Sequence, residues 1–374
     1  MSAEVETVGP SARRLEEPDQ PRESGTSLGG VILALAAVCL WVLWRTGPGK
    51  VPGVEGFENI ARGWPTIDMT PQTAYVLRVP LGQIAYGLLP RQGSGAYLAL
   101  HLSCLIGTAI VLVAWMCHRL GTRAGLVAGG VLALAPVTAV LLLWIGMYDA
   151  FSVFAWVVLV VALAHRGPWQ LAAAALAGFQ NFEQVVVGVL MLLLLPRLTR
   201  SLGLRPRALW LVPGVLAGKV ALELYLRSVG ATPGSRLTFL SDWDVFSHVL
   251  GTTAANGPLI IWSALAGLWG FALTALVTSW GRWPWRDKLQ LLLAVGVWFV
   301  SAAITADHTR VLAITSFPVV VLGAMAIADR HRDLGRLVRM PQTWLLVLAT
   351  PVVVFDYITL PLGIKPDLWG VWLF

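Results

Sequence analysis

The chain has 374 residues, 57% hydrophobic and 13% charged, with a net charge of +7 and a mean hydropathy of +0.72. A soluble chain carries about 25% charged residues, so the composition excludes an ordinary soluble globular domain. The positive balance does not indicate nucleic acid either. Its basic residues sit in short connections between apolar runs, with no nucleic-acid-binding motif among them.

Residues 1–27 carry Glu4, Glu6, Glu16, Glu17, Asp19 and Glu23 among Pro, Ser, Gly and Arg. They lack the apolar side chains that would offset ordering entropy, which predicts a disordered cytoplasmic tail. Their acidity is wrong for the n-region of a cleaved signal peptide. From position 28 to 374 the chain reads as one helical transmembrane domain. Apolar segments cover 28–44, 95–117, 124–145, 150–164, 169–180, 184–196, 208–226, 258–279, 289–305, 311–328 and 343–361. This predicts an all-α, polytopic integral membrane protein of about ten or eleven transmembrane or re-entrant helices. Cys39, Cys104 and Cys117 fall within or at the ends of these segments and read as small hydrophobic residues.

The connections alternate in charge. Of the 27 Lys and Arg residues, seventeen fall on one side of this layout and nine on the other, with Lys219 inside a span. The positive-inside rule then predicts an inner (plasma) membrane protein, with its N-terminus in the cytoplasm and its C-terminus outside. His165-Arg166 and Arg197 to Arg207 belong on the same side, so the stretch 169–196 must enter and return as a re-entrant hairpin. Its turn is Gln180-Asn181-Phe182-Glu183-Gln184, and each arm is short for a crossing. A single long tilted helix is the alternative, and it inverts every later loop. Two outer loops follow from the layout, 46–94 and 228–257. Within the first, Thr73 to Leu89 reads as an interfacial amphipathic helix anchored by Tyr75 and Tyr86. No internal repeat and no second hairpin is legible.

Ionisable groups in or beside membrane spans are costly and point to function. Under this topology they gather at the outer face, whereas the cytoplasmic loops hold only Asp287, Asp329 and Asp333. "GMYDAFSV" places Asp149 at the start of a span, where a carboxylate serves either as a helix N-cap or as a general base. "GFQNFEQ" offers Gln180, Asn181, Glu183 and Gln184, which either plug a helix break or read the hydroxyls of a polyol. "ADHTR" offers Asp307, His308 and Arg310. Arg310 either anchors at headgroups or grips a phosphate with its planar fork, His308 assisting as donor or acid. Lys219 and Glu223 are one helical turn apart and can neutralise each other, or Lys219 can pair with a lipid phosphate. "SDWDVFSH" contributes Asp242 and Asp244, a spacing able to hold a divalent cation and equally a solvated loop. Glu55, Glu58 and Asp68 are the acids of the first outer loop.

With these strings and the many-helix layout in view, the chain resembles the multi-span membrane glycosyltransferases of the GT-C type and bacterial polysaccharide-assembly proteins. The resemblance implies a catalytic carboxylate in the first outer loop, here Glu55, Glu58 or Asp68. The Asp expected near the end of the first span is missing, and so is the soluble C-terminal domain of larger members. The implied reaction moves a sugar from a polyprenyl-phosphate donor to a glycan or lipid acceptor at the outer face, a divalent cation being the one cofactor in view. Asp149 then takes the acceptor proton, and Asp149→Asn and Arg310→Ala are each expected to abolish activity without lowering membrane abundance. Two other classes stay open: a transporter or flippase of a lipid-linked or polar solute, and a non-catalytic scaffold of an envelope-assembly complex.

Overall fold

A computed structural model describes residues 27–50, 54–65, 78–231, 242–305, 307–331, 333–349, 352–354 and 359–361. The expectations for the tail 1–26, for Asp68 and for the first part of the Thr73–Leu89 helix lie outside the described residues. The elements in chain order begin with α1 (Leu28–Thr46), α2 (Val54–Arg62), α3 (Leu81–Gly87), α4 (Ser94–Leu120), α5 (Thr122–Ala133) and α6 (Pro136–Leu143). Next come α7 (Asp149–Ala162), α8 (Pro168–Leu194), α9 (Pro196–Ser201), α10 (Ala208–Ser228), α11 (Trp243–Ala255) and α12 (Gly257–Leu265). The series closes with α13 (Leu268–Ser279), a single 3₁₀ turn (Trp280–Arg282), α14 (Trp285–Ala303), α15 (His308–Arg330), α16 (Leu334–Val338) and α17 (Pro341–Leu348). Strands β1 (Val352–Val354) and β2 (Thr359–Pro361) pair antiparallel, Val353 opposite Leu360.

Helix boundaries follow local chemistry. Ser27 caps α1 by accepting the Gly30 N–H at 3.2 Å, and proline opens α6, α8, α9 and α17, where its missing N–H costs nothing. By length and composition five helices among the described residues can cross a membrane: α1, α4, α8, α10 and α15. The count is seven if two bent pairs each make one crossing, α5–α6 at 62° and α12 with Leu268–Arg282 at 89°. The protein is therefore a multi-pass membrane protein. Burial sorts the spans: 72% of the apolar window of α15 is inside the fold, against 17% for α1 and for α4. So α15 is the central post, and α1 and α4 show most of their surface outward.

Of the expected ten or eleven transmembrane or re-entrant elements, five to seven are thus long and apolar enough to cross among the described residues. The segment 150–164 appears as the fourteen-residue α7, and 124–145 breaks before Pro136. The segment 258–279 breaks at Ala266, whose φ of 45° ends α12. α14 is nineteen residues long, but Arg286, Asp287 and Lys288 sit in its first turn. The last segment, 343–361, yields the eight-residue α17 and then the β1–β2 hairpin. Apolar content marks segments that avoid water; proline and backbone breaks set where a helix stops, and the first cannot be read as the second.

α8 is a helix only in name across its middle. Asn181 has φ −160° and ψ 77°, a break inside the polar stretch 180–184. Before the break α8 packs on α10 through glycines: a Cβ on Gly178, Gly214 or Gly218 would meet the partner's backbone oxygens at 2.3–2.7 Å. Such close approach is how helices associate where no water drives them together. After the break, Gly188 lies against Trp156 of α7 and the Thr315 carbonyl of α15.

Candidate functional site

The contacts define two ends of the bundle. At one, Arg119 donates to the Leu202 carbonyl at 2.8 Å, the Arg205 N–H to the Leu163 carbonyl at 3.3 Å, and Gln170 to the Arg205 carbonyl at 3.0 Å. Arg197 pairs with Asp287 close by in sequence to this group. This is the basic end. At the other, His101 bonds the Met147 carbonyl at 2.9 Å, and Gln180 lies 3.3 Å from Ser152 Oγ. Gln170 is at the basic end, Gln180 at the other, and Gly188 lies back at the depth of Trp156, two turns into α7. Asn181 therefore breaks α8 at the polar end, between a stretch that starts beside Arg205 and one that passes Trp156.

The polar end holds the site. Asp149 opens α7 and Asp307 precedes α15, which starts at His308. Arg310, 3% exposed, joins these two helix starts. Its Nε donates to Asp307, one NH2 group donates to Tyr148 Oη at 2.9 Å, and the other lies 3.5 Å from Asp149 Oδ2. The guanidinium also stacks over the Tyr148 ring, 5.0 Å from its centroid. Asp149 is 2% exposed. Two carboxylates flanking one guanidinium leave a net negative charge in a low-dielectric interior. Burial pushes the Asp307 carboxyl up to about 6; Arg310 opposes that rise and Asp149 adds to it. Beside this cluster His308 Nε2 bonds Thr253 Oγ1 at 2.8 Å and Thr309 donates to Ser263 at 3.0 Å.

The "GFQNFEQ" amides are engaged within the protein. Gln180 Oε1 accepts the Leu81 N–H at 3.0 Å, while its Nε2 reaches Ser152 Oγ and, at 3.5 Å, the Tyr148 carbonyl. Gln180 thus ties α3 to the start of α7 and acts as a strut, the plug reading of this stretch. Asn181 Nδ2 donates to Gln184 Oε1 at 2.5 Å. The remaining oxygens differ: among the described residues, no group donates to the buried Asn181 Oδ1 or Asp307 Oδ1. Glu183 is half-buried in the break.

A second buried acid lies close to this frame. Glu58 on α2, 2% exposed, is gripped by Arg62 at 2.7–3.0 Å and accepts from Tyr86 Oη at 2.5 Å. Burial and the Glu58 bond raise the Tyr86 phenol above its usual range. Aromatic contacts run from Tyr86 to Tyr97 (5.2 Å), from Tyr97 to His101 (4.4 Å) and from His101 to Phe151 on α7 (5.2 Å). Of the first-loop acids, then, Glu58 is built into the fold and Glu55 is exposed.

The other candidates stand apart. Lys219 and Glu223 pair on α10 at 2.5 Å, each about a quarter exposed, with Lys219 5.1 Å over the Phe182 ring. Asp242 and Asp244 are exposed; Asp242 Oδ1 accepts the Asp244 N–H at 3.1 Å, a turn that opens α11. No group of three potential metal ligands occurs among the described residues. Sequence reasoning read Tyr86 only as an interfacial anchor and gave no site role to Tyr148, His101 or Ser152. Only Tyr148 left a signal, as the neighbour of Asp149. Among family models, curated proteins and solved structures alike, nothing matches the chain.

Proposed function

We propose that the polar end transfers a sugar from a polyprenyl-phosphate donor to a hydroxyl-bearing glycan or lipid acceptor. The observation that supports this is the meeting of Asp307 and Arg310 with Asp149, 161 residues from Arg310 in sequence, which sets two acids on one guanidinium. The acceptor oxygen attacks the anomeric carbon, the bond from that carbon to the phosphate oxygen breaks, and the electron pair leaves with the lipid phosphate. Asp149 takes the acceptor's proton. Arg310 stabilises the departing phosphate, whose oxygens take over one of the bonds that a carboxylate holds at rest. Asn181 Oδ1 and Asp307 Oδ1, which no described group donates to, accept from substrate hydroxyls. The membrane delivers the donor by lateral diffusion, and the proposed orientation sets the polar end outward.

A second reading is favoured by one specific observation. Besides the break at Asn181, α5–α6 and α12–α13 bend sharply, and interrupted helices build the substrate sites of transporters. The deciding experiment is mass spectrometry of polyprenyl-linked lipids and envelope glycans in a deletion strain carrying the wild-type gene or Asp149→Asn. A glycan lacking one sugar, with accumulation of its lipid donor in the variant, supports the transferase. Complete glycan with unchanged lipid pools removes it, in favour of the transporter or a non-catalytic scaffold of an envelope complex.

A further inference from the structure

The basic end carries a feature that the proposed transfer does not use. α13 and α14 are consecutive helices joined only by the 3₁₀ turn and Trp283-Pro284. Yet α13 packs on α17, whereas α14 packs on α8 and α15, so the two diverge from their shared turn. Both show apolar side chains outward. Val277 on α13 is 77% exposed and Leu292 on α14 60%, with Leu273, Leu289 and Leu293 exposed beside them. A helix as apolar as α13 with this much exposed surface needs a cover.

The turn at the base of this wedge is a cage of tryptophans and cations. Lys288 Nζ lies 5.0 Å over the Trp280 ring, Arg197 5.5 Å over Trp283 and Arg286 5.9 Å over Trp285. Trp285 is 68% exposed. Arg200 and Arg282 are exposed on the same two segments. Against these five cations stands one acid, Asp287, which Arg197 engages. Tryptophan with Lys or Arg marks the depth of lipid headgroups, and a net positive pocket between helices favours an anionic headgroup over a zwitterionic one.

We infer that the wedge between α13 and α14 binds an anionic glycerophospholipid, its acyl chains against Leu273, Val277, Leu289 and Leu292 and its phosphate at the Arg282–Lys288 turn. Charge complementarity decides the occupant: a second copy of the chain would bring the same cations to the contact and repel. The inference concerns the opposite end of the molecule from the transfer site and stands whether or not that reading holds.

The test uses the full chain in nanodiscs of mixed phosphatidylglycerol and phosphatidylcholine, with retained lipids counted by native mass spectrometry after release. Wild type is expected to retain phosphatidylglycerol at least threefold over its share of the disc. Arg282→Gln/Lys288→Gln is expected to lose that preference, and Arg282→Lys/Lys288→Arg to keep it, which separates lost charge from lost fold. Equal retention of both lipids by wild type, undiminished preference in the Gln double variant, or loss in the charge-conserving variant would overturn the site. So would a homodimer cross-linked through cysteines placed at Val277.

Discussion

Two ion pairs in this protein were both built from residues that stand out in the sequence, and they could hardly differ more in kind. Lys219 and Glu223 lie one turn apart on α10 and meet because a helix puts them on one face. Arg310 meets Asp149 only because α7 and α15 begin at the same place in the fold. The first pair is local and part-exposed; the second is long-range and buried to within 3% of full exclusion. A local pair forms wherever its helix forms. A long-range buried pair is satisfied only in the native packing, so its loss strands charges that water cannot reach.

The largest effect that sharpens this contrast is expected from Arg310→Ala. It leaves Asp149 and Asp307 facing each other without their cation, a loss of about 3–5 kcal/mol, read as a drop in thermal midpoint of the detergent-solubilised protein and in membrane abundance. This revises the expectation from sequence that the variant spares abundance, because the sequence does not reveal that the guanidinium is the shared partner of two buried acids. An unchanged midpoint would show that the cluster is hydrated. Asp149→Asn keeps the shape and is the cleaner probe of activity.

Glu58→Gln tests whether a pair that is local in sequence, with a buried acid and a half-exposed Arg62, behaves like Arg310's. It trades a charge-assisted fork from Arg62 and a short Tyr86 bond for weaker ones, an expected cost of about 1–3 kcal/mol. A shift no larger than that of an exposed surface variant would place Glu58 with the local, expendable pairs.

A smaller effect is expected from pH. The Asp307 carboxyl is pushed up to about 6 by burial, above its value in an unfolded chain, so the fold holds that proton more tightly. Its contribution to stability is complete below about pH 4 and is lost as pH rises through about 6. An infrared carboxylic-acid band that vanishes across that range in wild type, and is absent in Asp307→Asn, is the expected result. A band lost below pH 4.5 would mean that Arg310 dominates instead.

The smallest effect is expected from replacing the local pair whole. Lys219→Leu/Glu223→Leu removes both charges together, and a part-exposed i,i+4 pair contributes only about 0.3–0.5 kcal/mol, so the change in stability is expected to stay within about 0.5 kcal/mol. A clear fall in thermal midpoint would mean that this pair, too, is held by tertiary contacts, and the contrast between the two pairs would fail.

The membrane class, the apolar segments, the break near Asn181 and the residues of interest were all legible in the sequence, because each depends on composition or on spacing within one segment. Asp149, Arg310 and Asp307 could be named as costly charges, and Lys219–Glu223 could even be paired, since helix geometry alone relates them. Which segments continue as spans, that Gln180 braces α3 against α7, that Glu58 rather than Glu55 is buried, and that Arg310 lies between two acids were decided only by tertiary structure. Those facts depend on which helix starts coincide in space, and segments so far apart in the chain carry no local trace of one another.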